Sequence, residues 1–228
     1  MEGSLSIELA GERLLLLPER ALYWPAQQTL FVADVHLGKA AAFRAAGIPA
    51  PEAVTGATLQ RLTRLLEQTR AARLIVLGDL VHAASGLTDT VCHAVAHWRQ
   101  TLRGIEMVLV TGNHDRRAGG VPANWQVADA GERFELPPFA LLHHPGAVAG
   151  RYALAGHLHP GIRLRGLGGE RLKLPCFWLG EGQGVLPAFG DFTGLSLISP
   201  QEGDRVYAVA EDAVCPIPVS ETSSGSRG

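Results

Sequence analysis

The sequence predicts an α/β fold of two packed sheets flanked by helices, on three observations. In the first half, short apolar runs alternate with segments of helical period, which is the pattern of βαβ units. Past residue 125 the helical period stops and short strands follow one another. Metal-ligating side chains collect where the apolar runs end, and in α/β folds the loops at the carboxyl ends of strands converge on one crevice.

Ser4–Leu9 and Arg13–Leu17 read as two strands around a turn at Gly11. Thr29–Ala33, a short apolar run, reads as the first buried central strand. Leu37–Ala53, interrupted by Gly38, Gly47, Pro49 and Pro51, reads as a long irregular loop, the kind that usually serves function. Thr55–Gln68 places Ala57, Leu59, Leu62, Leu65 and Leu66 at helical spacing, and strand Arg73–Leu77 completes a βαβ unit. Thr88–Leu102 is a second helix with Val91, Val95 and Trp98 on one face, and strand Glu106–Val110 completes a second unit. The expected strands of the second half are Gln126–Ala128, Glu132–Leu136, Phe139–Leu142, Tyr152–Ala155, Gly161–Leu167, Arg171–Leu174 and Arg205–Val209. No linker or internal repeat divides the chain. Residues 1–210 are therefore expected to form one domain and residues 211–228 a tail, Ser/Gly-rich and disordered at its end from about Ser220.

The 228 residues, 46% hydrophobic, suffice for a sizeable core and exclude global disorder. A net charge of −2 supplies no global attraction to nucleic acid, so any such contact must rest on a local patch. Cys92, Cys176 and Cys215 are odd in number and far apart, without zinc-knuckle spacing, and read as reduced thiols of a cytoplasmic protein. Residues 1–10 lack a basic segment of the secretory type. No apolar stretch approaches the roughly 18 residues needed to span a bilayer, so no membrane partner is expected.

Four polar blocks carry the chemistry. Asp34 and His36 alternate around Val35, so in an extended segment both side chains point to one side. Asp79 follows Gly78 at a strand end, where alone it would be an ordinary turn former. Gly112, Asn113, His114 and Asp115 combine a neutral carbonyl oxygen, a titratable ring and a carboxylate able to orient that ring. His157 and His159 alternate around Leu158, again on one side of an extended segment. His143 and His144 end a further strand, and alternation turns only one of them inward, with position favouring His143. Nine histidines are few for a chain of this length, and their concentration at strand ends carries the inference. Asp34, His36, Asp79, Asn113, His143, His157 and His159 are enough ligands for two divalent metals sharing a carboxylate. Mixed oxygen and nitrogen donors without thiolate suit Mn, Fe, Zn or Co, with Mg as a further candidate. Two such ions ~3.5–4 Å apart stabilise the attacking and leaving oxygens of a displacement at phosphorus.

These blocks, in this order, resemble the calcineurin-like metallophosphoesterase superfamily: D-x-H, G-D, G-N-H-D, an isolated His, and G-H-x-H, spanning residues 34 to 159. The resemblance implies a four-layer α/β/β/α sandwich. Further segments fit a narrower group. They are Ala33 to Lys39, Phe43 to Pro49, Leu142 to Pro145, Ala155 to Pro160, Leu174 to Trp178, Pro187 to Gly190 and Phe192 to Gly194. Together they are similar to the bacterial ligase-associated DNA damage response endonuclease family over residues 5 to 209. That resemblance implies an Mn-dependent phosphodiesterase acting on DNA in repair, with a ligase or helicase as possible partner. It assigns Asp34, His36, Asp79 and His159 to one metal, and Asp79, Asn113, His143 and His157 to the other, with Asp79 bridging. It makes His114 the acid that protonates the leaving oxygen, or the group that stabilises its developing charge, and Asp115 the group that orients His114. A phosphodiesterase of small molecules or nucleotides is the alternative. A non-catalytic scaffold of the same fold is disfavoured by the complete ligand set.

Outside the blocks, His82 could line the crevice. Arg151, Arg163, Arg165, Arg171 and Lys173 form the densest basic segment near the last block. On a hairpin they would make a ridge that tracks phosphates. Arg116 and Arg117 could grip phosphate as well. Phe177, Trp178, Phe189 and Phe192 read as core or interface.

Overall fold

The computed structural model describes residues 2–165 and 169–219. The first seven strands form one sheet in chain order: β1 (Leu5–Leu9), β2 (Glu12–Leu17), β3 (Ala21–Trp24), β4 (Thr29–Val32), β5 (Arg73–Leu77), β6 (Glu106–Val110) and β7 (Ala128–Asp129). Strands β1 to β4 pair antiparallel, and β4 to β7 pair parallel. Parallel neighbours need crossover connections. Helices α1 (Lys39–Ala45) and α2 (Val54–Thr69) lie between β4 and β5, and α3 (Asp89–Thr101) lies between β5 and β6. The short helix α4 (Asn113–Arg117) follows β6.

The second sheet holds β8 (Arg133–Leu136), β9 (Phe139–Leu142), β10 (Tyr152–Ala155), β11 (Pro160–Arg165), β12 (Arg171–Leu179), β13 (Gln183–Val185), β14 (Ser196–Leu197), β15 (Arg205–Val209) and β16 (Val214–Ile217). Its order is β14-β11-β12-β13-β10-β9-β8, with β15 on β12 and β16 on β15. Strand β12 is shared between two pairings. Its first five residues pair with β11, and its last four pair with β15.

Side-chain alternation divides the core in two. On β4, β5 and β6, Leu30, Val32, Leu74, Val76 and Leu109 face Leu59, Leu62 and Leu66 of α2 and Val91, Val95 and Trp98 of α3. Phe31, Ile75, Leu77, Val108 and Val110 face Phe139, Leu141, Leu154 and Phe177 of the second sheet. Both faces of these strands are buried, which is why they read as unbroken apolar runs. Each fully buried Leu or Phe contributes roughly 1.5–3 kcal/mol. Two inner sheets with helices on the first reproduce the expected α/β sandwich. After Arg117 the described residues contain no further α-helix.

Some expectations need correction. The stretch Leu37–Ala53 is not all loop: it holds α1, whose Ala40, Ala41 and Ala42 are buried. Flanking Gly and Pro hid a seven-residue helix too short to show a period. Strands β3, β13, β14 and β16 are two to four residues long and depend on neighbouring strands rather than on local pattern. Strand β16 falls in the segment expected to be a tail, so the sheet extends beyond residue 210. The strand expected at Gln126–Ala128 begins only at Ala128. The end of the expected strand Gly161–Leu167 and the tail from Ser220 lie outside the described residues.

Candidate metal centre

The ligand blocks leave the carboxyl ends of five strands. Asp34 and His36 follow β4, Asp79 follows β5, Asn113 and His114 follow β6, His143 follows β9, and His157 and His159 follow β10. Backbone hydrogen bonds carry the strand pairing into these loops. Asp34 N–H donates to the Gly78 carbonyl (3.1 Å), His36 N–H to Asp79 (2.9 Å) and Gly156 N–H to His143 (3.1 Å).

The loops are not extended, as alternation had suggested. Asp34, His36, Asp79, His157 and His159 all have left-handed backbone, with φ between 48° and 70°. Such a conformation is costly for residues with a Cβ and persists where the surroundings enforce it. Here it turns each side chain back into the crevice at the sheet edge.

The donors meet in four overlapping groups: Asp34, His36 and His159; Asp34, Asp79 and His143; His143, His144 and His157; and His36, His82 and His114. Asp34 and Asp79 are buried, and the described residues within ion-pair distance of them are imidazoles only. His159 Nε2 lies 3.5 Å from Asp34 Oδ1, and His143 Nε2 lies 3.5 Å from Asp79 Oδ2. His36 Nε2 and His159 Nε2 are 3.4 Å apart.

Three features fit this set to divalent metal. Ligands about 2.0–2.1 Å from one ion stand about 3.0–3.4 Å from each other, close to the spacings found. Asp34 Oδ1 and His36 Nδ1 are buried without a hydrogen-bond partner among the described residues. His143 Nδ1 can only donate to the Leu77 carbonyl (3.1 Å), so the neutral ring keeps its lone pair at Nε2, facing Asn113 Oδ1 at 2.9 Å. Two lone pairs aimed at one point call for a cation. Burying carboxylates without one costs on the order of several kcal/mol. Burial first, then Lys39 and the neighbouring imidazoles, push His36 down to about 2, and burial also lowers His157. Neutral rings offer the lone pair that a metal needs.

His143, not His144, is the inward residue: it is buried, while His144 is exposed and meets His157 edge-on with centroids 4.0 Å apart. His114 reaches the crevice with Nε2 3.9 Å from Asp79 Oδ2. Its Nδ1–H donates to the His82 carbonyl at 2.6 Å, and the His82 ring stacks on it with centroids 5.1 Å apart. The role expected of Asp115 is therefore corrected. Its two oxygens accept from the backbone N–H groups of Val81 (2.9 Å) and Gly112 (2.9 Å), so it fastens the loops and leaves the His114 ring to His82. Buried at the first turn of α4, Asp115 meets unpaired N–H groups sooner than any ring.

Two glycines of these blocks, Gly78 and Gly112, pack against the candidate ligands. A Cβ on Gly112 would stand 2.2 Å from Asp79 Oδ1, and one on Gly78, at φ +82°, would stand 2.0 Å from His143 Nδ1. Gly112→Ala is expected to displace the Asp79 carboxylate and lower phosphodiester hydrolysis about 10²-fold, the usual cost of a misplacement near 1 Å. Parent kcat/KM in the folded variant would mean that the carboxylate has room to move.

The basic residues divide. Arg116 pairs with Glu132, at a cavity also lined by His143 and His144. Arg151 pairs with Glu135 (3.5 Å) and so leaves the ridge. Arg163, Arg165, Arg171 and Lys173 do form a hairpin face. Arg163 stands opposite Lys173 and Arg165 opposite Arg171, all four exposed. No carboxylate pairs with any of them among the described residues.

The calcineurin-like phosphoesterase profile matches residues 28–180, which include every ligand block. The chain belongs to the calcineurin-like phosphoesterase family. As a member it is a metal-dependent phosphoesterase, and the donors gathered at the strand ends are where the family's divalent metal can bind. The crystal structure of Pseudomonas putida nuclease MPE is similar at 42% identity and TM-score 0.84, covering 94% of this chain and 100% of that one. YfcE, a phosphoesterase from E. coli, is a distant likeness at 13% identity and TM-score 0.42, over 83% of this chain and 97% of that one. Among the curated proteins no sequence matches. No helix of the described residues is long and apolar enough to cross a membrane.

Proposed function

We propose that this phosphoesterase is a two-metal, Mn-dependent DNA endonuclease of the cytoplasm that works in DNA repair. The observation that carries the choice of DNA is the four-cation face of the β11–β12 hairpin, which begins one residue after His159. Like charges directly opposite each other on a ladder destabilise it. With no carboxylate pairing with them among the described residues, they suit a polyanion lying across the face. The 42% identical neighbour is called a nuclease, which supports the same reading.

In this reading Asp34, His36, Asp79 and His159 would hold one ion, and Asp79, Asn113, His143 and His157 the other. Bound there, divalent ions supply Lewis acidity: they neutralise phosphoryl oxygens and lower the pKa of a water molecule. The protein's own groups do the rest. The buried carboxylates and neutral rings fix the ligand geometry. His114, its Nδ1–H held by the His82 carbonyl, presents Nε2 to the crevice and protonates the departing sugar oxygen. The hairpin cations hold the flanking phosphates.

The test is charge reversal at Arg163 and Arg165, assayed with Mn on DNA and on a nitrophenyl phosphodiester. The double variant is expected to cut DNA more weakly and with a flatter salt dependence, because fewer counterions are released on binding. Hydrolysis of the small diester should stay near the parent rate, since that substrate reaches only the centre. DNA cleavage at the parent rate in moderate salt would reduce the ridge to a solvated face and favour a small-molecule phosphodiesterase.

A further inference from the structure

Phe192 is the most exposed large apolar side chain among the described residues, at 57%. Its backbone is left-handed, with φ 60°, a conformation that glycine or asparagine adopts more cheaply than an aromatic residue. Neither packing nor backbone preference accounts for a phenylalanine here. Its neighbours in the sequence differ: Phe177 and Phe189 are fully buried, and Trp178 donates Nε1–H to Asp204 at 2.7 Å. Of the core or interface expected for Phe192, its exposure excludes the core, and the position of its loop suggests what the ring could meet instead.

The loop is tied at both ends to one group of metal-ligating residues. Ala188 bridges Ala33 in parallel, so the chain leaves the sheet at the same edge as the ligand loops. Gly190 N–H then donates to the Asp34 carbonyl (3.0 Å), and Ser196 N–H donates to the His159 carbonyl (3.0 Å). Phe192 sits between these two anchors. Arg61 steadies the near side, bonding Asp191 at 3.1 Å and lying over the Phe189 ring at 3.9 Å. On the far side Ser196 and Leu197 form β14, which pairs with β11, the strand that carries Arg163 and Arg165. The loop thus runs from the Asp34, His36 and His159 group to the basic hairpin. Leu158, between two of the histidines, and Leu197 are the other exposed apolar side chains along this rim. Phe192 has no aromatic or cationic partner among the described residues.

We propose that Phe192 is a stacking platform for an unpaired nucleobase of the substrate strand, set between the metal centre and the phosphate-binding hairpin. The proposal rests on the nuclease reading. It adds a residue that binds a base rather than a phosphate and that therefore discriminates unpaired from paired nucleotides. An aromatic ring beside a cationic track is how sequence-tolerant binding of single strands is built, each base–aromatic stack being worth ~1–3 kcal/mol.

The test combines two variants with a set of single-stranded oligonucleotides, each carrying one abasic site at a different position around the cut. Phe192→Gly suits the left-handed backbone and should fold with an unchanged or higher Tm. It is expected to raise KM for the intact oligonucleotide about 5- to 150-fold, the equivalent of one stack, with kcat less affected. The parent should show a similar rise for one abasic position only. At that position Phe192→Gly should show no additional loss, because both changes remove the same contact. Phe192→Trp should keep the parent KM. A folded Phe192→Gly protein with parent KM would overturn the proposal, as would losses that add at every abasic position. A parent enzyme that hydrolyses a nitrophenyl phosphodiester but no DNA would instead overturn the nuclease reading itself, and the stacking role with it.

Discussion

Asp79→Asn is expected to abolish phosphodiester hydrolysis and to cut metal content from near two Mn ions per chain to one or none. The substitution keeps the shape of the side chain and removes its charge. Asp79 is buried, with Oδ1 accepting the His114 backbone N–H at 2.9 Å and Oδ2 facing His143 Nε2 at 3.5 Å. Losing one of the two carboxylates in the ligand set should weaken both sites at once if Asp79 bridges them. The geometry offers a competitor, because Asp34, not Asp79, is the carboxylate common to two of the ligand groups. Asp34→Asn is therefore the companion variant. Metal analysis of both after reconstitution with Mn decides between them. Loss of one ion in Asp79→Asn with loss of two in Asp34→Asn would move the bridge to Asp34. A parent protein that never holds more than one ion would end the two-metal mechanism.

His114→Ala should leave both metals in place and lower DNA cleavage about 10²–10⁴-fold, the usual worth of general acid help. Its ring is half-buried, fixed through Nδ1 by a backbone carbonyl rather than by a carboxylate, with Nε2 turned to the crevice 3.9 Å from Asp79 Oδ2. A carbonyl partner holds the tautomer without adding negative charge beside the ring. The loss should be smaller on a nitrophenyl diester, whose leaving group hardly needs a proton. Equal losses on both substrates would argue against proton transfer, and loss of a metal would make His114 a ligand.

The chain determined by itself much of what the centre is made of. Apolar runs at Thr29–Ala33, Arg73–Leu77, Glu106–Val110, Phe139–Leu142 and Tyr152–Ala155 mark strands because both their faces are buried, and the polar blocks at their ends name the donor atoms. These are local properties of composition and period. Tertiary structure alone decided the rest. Left-handed backbone at Asp34, His36, Asp79, His157 and His159 comes from the packing of loops after three separate strands, β4, β5 and β10, and a spacing rule sees only extended chain. Asp115 lost its expected partner because the N–H groups of Val81 and Gly112 reach it first, and Val81 is 34 residues away. The hairpin register placed Arg163 opposite Lys173 and gave Arg151 to Glu135. Phe177, Phe189 and Phe192 look alike in sequence. What separates them is that a loop clamped between Asp34 and His159 leaves Phe192 outside the sandwich while the two sheets enclose its neighbours. Burial and pairing of this kind depend on contacts between residues far apart in the chain, and no short window of sequence contains them.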